Sequence, residues 1–167
     1  MRYPKRVRTL VSIMATSGAP GLPPPTPEAL AVLMTPSPTD RAGYVERHRK
    51  VMKVLRGPGA FADEEALDAA RAERAFERGL NPPGYGRQLA AIIASGSRKE
   101  RLAFLLAPTL VLHGDRDPLV PIACGMDVAC TVPGAKMVTI EGMGHAMPKR
   151  TWPAIIDAIA EHAVWTD

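Results

Sequence analysis

Apolar residues gather in this chain in two ways. Three short runs, Arg8-Thr-Leu-Val-Ser-Ile-Met14, Thr109-Leu-Val-Leu-His113 and Lys136-Met-Val-Thr-Ile140, have the length and near-continuous apolar character of buried parallel strands. Between the first two, from Thr26 to Ala107, helix signals dominate. Thr26 before Pro27 fits an N-cap with proline at the first helical position and predicts a helix over Pro27–Met34. Asp40 opens a helix that stops at Gly57, and Asp63 one that stops at Gly79. A further helix is expected from Tyr85 to Ala94. Ser97-Arg-Lys-Glu100 has the form of a capping box leading a short helix towards Leu106.

The character changes at Pro108. Strand, helix (Pro121–Thr131), strand and helix (Lys149–Ala163) follow in order, a βαβα unit whose two strands should be parallel with a right-handed crossover. Gly18-Ala-Pro-Gly-Leu-Pro-Pro-Pro-Thr-Pro27 is too proline-rich for regular structure. The expected organisation is therefore α/β: residues 1–18 a strand of a core sheet, 19–107 a mostly helical insertion, 108–167 a closing βαβα unit.

Composition narrows the class. A chain of 167 residues, 46% hydrophobic and 23% charged, is expected to be one soluble globular domain. No apolar stretch approaches the roughly 20 residues needed to span a bilayer, so no membrane partner is expected. The net charge of +4 owes part of its excess to Arg2, Lys5, Arg6 and Arg8. That arm lacks the interleaved aromatics of a nucleic-acid binder and reads as a solvated approach to the first strand. Leu10-Val-Ser-Ile-Met-Ala15 imitates a signal sequence, but its apolar core falls short of the usual minimum of about seven residues. Cys124 and Cys130 lie on one expected helix, pointing about 120° apart, which does not suit a disulfide. Both read as small core residues in a reducing, cytoplasmic setting.

In open α/β sheets, function collects at the carboxyl ends of the strands. Two candidate groups stand there: Asp117, in His113-Gly-Asp-Arg-Asp-Pro-Leu-Val-Pro121, and His145, in Gly142-Met-Gly-His145. Taken alone, each has a plain alternative. Asp-Pro turns form because aspartate bonds its own backbone, and a histidine between glycines can simply fill a loop. Together, after neighbouring strands about 4.8 Å apart, they read as the acid and base of a nucleophilic triad. Asp115 is a competing carboxylate assigned to the turn. His48 and His162 are expected on solvated helix surfaces. No Gly-x-Ser-x-Gly elbow occurs, and of the serines only Ser17, at a strand end, is placed to substitute for a nucleophile.

From Val7 onward the chain resembles the cap and C-terminal portion of an α/β-hydrolase-fold protein, closest to the esterase and methylesterase-like branch. The family pattern His-Gly-x-x-Asp-x-x-Val-Pro matches His113, Gly114, Asp117, Val120 and Pro121. The pattern Gly-x-Gly-His matches Gly142, Gly144 and His145. The segment Arg6–Met14 resembles the strand after the nucleophile helix.

The resemblance implies that Asp117 is the triad acid and His145 the base, that residues 19–107 form a lid, and that no cofactor or metal is involved. It also implies a small apolar ester as substrate of the full-length relative. The nucleophile elbow and oxyanion loop of the family would precede Met1. The expectation is thus a truncated, serine-type ester hydrolase with a triad remnant, inactive as an isolated chain and open to pairing with a separate N-terminal half or with itself. A non-catalytic binding module built on the same fold is the alternative.

Overall fold

The computed structural model describes residues 4–58 and 64–164. Strands β1 (Leu10–Ile13), β2 (Thr109–Gly114) and β3 (Lys136–Ile140) form one parallel sheet in the order β1-β2-β3. Register places Val11 beside Leu110 and Ile13 beside Leu112; on the other side Leu112 lies beside Val138. Side chains alternate between faces, and the two faces of β2 build two cores. Leu110 and Leu112 pack with Ile140, Met143 and Ile155 of the closing helix, while Val111 packs with Leu105, Val128 and Val132 on the opposite face. Every residue of β2 is buried. β1 is only half-buried rather than fully so, because among the described residues it has a strand neighbour on one side alone.

The helices are α1 (Pro27–Met34), α2 (Arg41–Leu55), α3 (Glu65–Glu77), α4 (Pro82–Ser95), α5 (Lys99–Leu102), α6 (Ile122–Thr131) and α7 (Trp152–Val164). A 3-10 turn, Lys149–Thr151, leads into α7. The Thr26 hydroxyl accepts from Ala29 N and the Asp40 carboxylate from Gly43 N, so both helices start where their caps are. Asp63, the cap expected for α3, lies outside the described residues. The expected capping box before α5 does not form. Ser97 Oγ accepts from Lys99 N, two residues on, and Arg98 occupies the cap position without a side-chain bond.

Three further expectations change in three dimensions. Cys130 is exposed while Cys124 is buried, since the two point to different sides of α6. His162 is buried, its Nε2 3.3 Å from Pro108 O, because α7 lies against the end of the loop that enters β2. His48 is half-buried and stacked on Tyr44, with ring centroids 6.5 Å apart. Burial pushes its pKa down, the nearby Asp68 opposing the shift.

Helices α1 and α2 carry a core of their own. Ala29, Val51 and Leu55 are buried together, the partly buried Val32, Leu33 and Val54 pack against them, and Leu119 from the loop after β2 closes this cluster from below. The start of α1 is tied to the same loop by Thr26 N donating to Pro118 O at 2.8 Å. Among the described residues no helix is long and apolar enough to cross a membrane.

The central position of β2 has a measurable consequence. Leu112→Ala should cost about 2–5 kcal/mol in urea denaturation, as expected for a leucine truncated in a closed core. Ile13→Ala on the half-buried edge strand should cost clearly less. Equal losses would mean that the outer side of β1 is covered in solution.

Candidate active site

The site is made by two loops at the carboxyl end of the sheet, and their closeness is a matter of backbone. Arg116 N donates to Met143 O at 3.0 Å, and the Asp115 carboxylate accepts from Gly142 N at 2.7 Å. Asp115 therefore joins the two loops rather than competing for the histidine. A Cβ on Gly114 would lie 2.0 Å from Met143 O, so only glycine lets the second loop rest on the end of β2. Gly144 is equally constrained from the other side: a Cβ there would lie 2.2 Å from Arg56 O, at the end of α2.

Within this frame Asp117 is buried and fully engaged. Its Oδ1 accepts from Leu119 N at 2.9 Å and Val120 N at 2.8 Å, the turn that an Asp-Pro sequence favours. Its Oδ2 lies 2.8 Å from His145 Nδ1. The two residues are 28 positions apart in sequence and meet through the adjacent ends of β2 and β3. Facing a carboxylate, Nδ1 carries the ring proton, which leaves the lone pair on Nε2. The His145 side chain is 25% exposed, and Nε2 makes no hydrogen bond among the described residues. The imidazole is held at one nitrogen and open at the other.

His113 supports the acid loop from beneath. It is fully buried, and its Nε2 is 2.7 Å from Val120 O and 3.6 Å from Asp117 Oδ2. Val120 thus receives Asp117 at its N–H and His113 at its carbonyl, which accounts for the fixed spacing of the motif. At the end of α2, Leu55 O accepts from His145 N at 2.6 Å.

Ser17, the substitute nucleophile considered from sequence, is not placed for that role. It is fully buried, its hydroxyl donates to Asp127 of α6, and it accepts from Ala19 N at 3.1 Å. Lys99 of α5 binds the other oxygen of Asp127. The Lys99 ammonium and then the Ser17 hydroxyl hold the Asp127 carboxyl below the usual carboxylate range. This trio ties β1, α5 and α6 together. Burial pushes the Cys124 thiol up, away from the reactive thiolate form.

Comparisons with known proteins bear on the fold. A family model, Abhydrolase_4 (TAP-like protein), matches residues 94–162, the stretch that holds both Asp117 and His145. Rhodomycin D methylesterase DauP of Streptomyces sp. (strain C5) is 29% identical over 146 residues, and DnrP of Streptomyces peucetius is 27% identical over 145. Each alignment covers 85% of this chain and 48% of the relative. A solved meta-cleavage product hydrolase from Pseudomonas fluorescens IP01 superposes with a TM-score of 0.70 at 20% identity, over 99% of this chain and 59% of that one. The chain has the α/β-hydrolase fold. It spans about half the length of the curated relatives it matches. Its three parallel strands and their helices correspond to a C-terminal portion of the α/β-hydrolase fold.

The lowered Asp127 gives a pH test of the tie beside β1. The folded carboxyl has a lower pKa than the unfolded one, so its stabilisation is complete at neutral pH and fades as pH falls through about 4 and below. Lys99→Met should therefore reduce stability at pH 7 by more than it does at pH 3. An identical loss at both values in urea titrations would remove Asp127 from the tie.

Proposed function

We propose that Asp117 and His145 are the acid and the general base of a serine-type, ester-hydrolysing site of the carboxylesterase or methylesterase kind. The observation that carries this is the 2.8 Å contact between Asp117 Oδ2 and His145 Nδ1, with Oδ1 already satisfied by two backbone N–H groups and Nε2 left open. In that arrangement the carboxylate fixes the imidazole tautomer and stabilises the imidazolium that forms when Nε2 takes a proton from an attacking hydroxyl. The same nitrogen then returns the proton to the departing alcohol.

The nucleophile is not among these residues. The chain has five serines, none in a Gly-x-Ser-x-Gly setting, and Ser17 is spent on Asp127. We place the attacking serine and the oxyanion donors in polypeptide beyond these 167 residues, either in one longer chain or in a separate one. In this reading residues 19–107 form the lid. Its support is that α1 and α2 stand over the acid loop through Thr26 N–Pro118 O and the apolar contact of Leu119 with Ala29, Val51 and Leu55. The methylesterase names of the relatives point to a small ester as the substrate.

On p-nitrophenyl esters the chain alone should turn over no faster than its His145→Ala variant, because an oriented base without a nucleophile has no covalent route. In a polypeptide that supplies the elbow, Asp117→Asn should lower kcat by about 10⁴-fold, through the wrong imidazole tautomer. Saturable, His145-dependent turnover by the isolated chain would relocate the nucleophile within it. Full activity of Asp117→Asn in the complete protein would sink the assignment of the acid.

A further inference from the structure

The end of α2 carries a buried ion pair. Arg56, just after its last turn, is 4% exposed, and its guanidinium meets Asp68 of α3, which is 1% exposed. Asp68 continues to Arg71 at 3.5 Å, Arg71 to Glu64 at 3.4 Å, and Glu64 accepts from the backbone N–H of Lys149, in the turn before α7. The chain of charges runs from the cap helices to the core.

A buried pair is poor evidence for stability, since apolar residues of similar volume often do as well. What it adds is direction, and here the direction has an evident target. The carbonyls that close α2 have no partner further along the helix. One of them, Leu55 O, accepts from His145 N at 2.6 Å. The next, Arg56 O, is the atom that a side chain at Gly144 would strike. Gly57 in turn lies against Arg116 O of the acid loop, 2.7 Å from where its Cβ would be. One turn of chain therefore touches both catalytic loops, and the Arg56–Asp68 pair fixes that turn to α3.

We propose that Arg56 and Asp68 are positioning residues for His145: by locking the last turn of α2 onto α3 they hold the carbonyl from which the His145 backbone hangs, and so keep Nδ1 on Asp117. This rests on the reading of His145 as the base. Neither side chain touches a reacting group. The consequence is that the seating of the cap helices governs the aim of the imidazole, so a shift of α3 relative to α2 is felt at Nε2.

The test is made on the chain by NMR, comparing wild type with Asp68→Asn, Arg56→Lys and the apolar double variant Arg56→Met/Asp68→Leu. In Asp68→Asn the His145 amide should exchange about tenfold faster while the amides of Leu110 to Leu112 stay within about twofold, the signature of local rather than global opening. The ring ¹⁵N shifts of His145 should move from the pure Nδ1–H tautomer towards a mixture, and Arg56→Lys should fall between this and wild type. The double variant should keep its Tm within a few degrees yet show the same loosening at His145. It also decides the matter if the single variants do not fold. Wild-type exchange and tautomer at His145 in a folded Asp68→Asn or double variant would overturn the proposal. So would a uniform loss of protection across β2 and His145, which assigns the pair to overall stability. An inert His145→Ala substitution in a nucleophile-complete protein would instead remove the role of His145 as base and leave the NMR comparison standing.

Discussion

The Gly142–His145 turn rests directly on the end of β2, with Met143 O filling the space that a side chain at Gly114 would need. That close approach brings two loops from adjacent parallel strands into one rigid body. Arg116 N on Met143 O and Gly142 N on Asp115 then seal it. With both backbones fixed, the Asp117 carboxylate and the His145 ring need no further adjustment to meet at 2.8 Å. A single methyl group at position 114 would push the loops apart and end the contact.

Buried polar groups do most of the remaining alignment, through contacts that each have a direction. Asp117 spends one oxygen on backbone N–H groups and offers the other to the imidazole. His113 braces the same turn through Val120 O. Ser17 and Lys99 converge on Asp127 to tie the loop after β1 to α5 and α6, and Arg56 with Asp68 fastens the end of α2 to α3. Unpaired, any of these groups would cost free energy in a dry interior, so each pair tolerates only one geometry.

The chemistry that results is one-sided. The residues present hold an imidazole at Nδ1 and leave its Nε2 without a hydrogen bond among the described residues. Ser17, the one serine placed at a strand end, spends its hydroxyl on Asp127. The methylesterases DnrP and DauP are about twice as long as the matched segment, and the solved hydrolase extends well beyond it. In this structure the Asp117–His145 contact lies beside the end of α2, whose Leu55 O accepts from His145 N.

Much of this was legible in the sequence by itself. The three apolar runs give the strands, β3 to the residue, and Thr26 and Asp40 mark where α1 and α2 begin because their caps are local hydrogen bonds. The two short motifs single out Asp117 and His145, since their glycines and prolines constrain the backbone on the spot. What the sequence did not disclose depends on contacts between distant segments. Arg56 and Asp68 carry no signal in the sequence, Asp115 reads as a turn former, His162 as a solvated helix residue, and Ser17 as the one serine placed to substitute for a nucleophile. Only the packing of α2 on α3, of one loop on another, of α7 on Pro108 and of α6 beside β1 gave them partners and burial. Local pattern determines where elements start and which way their side chains alternate. Which polar group ends up without water, and with whom, is decided when those elements close on one another.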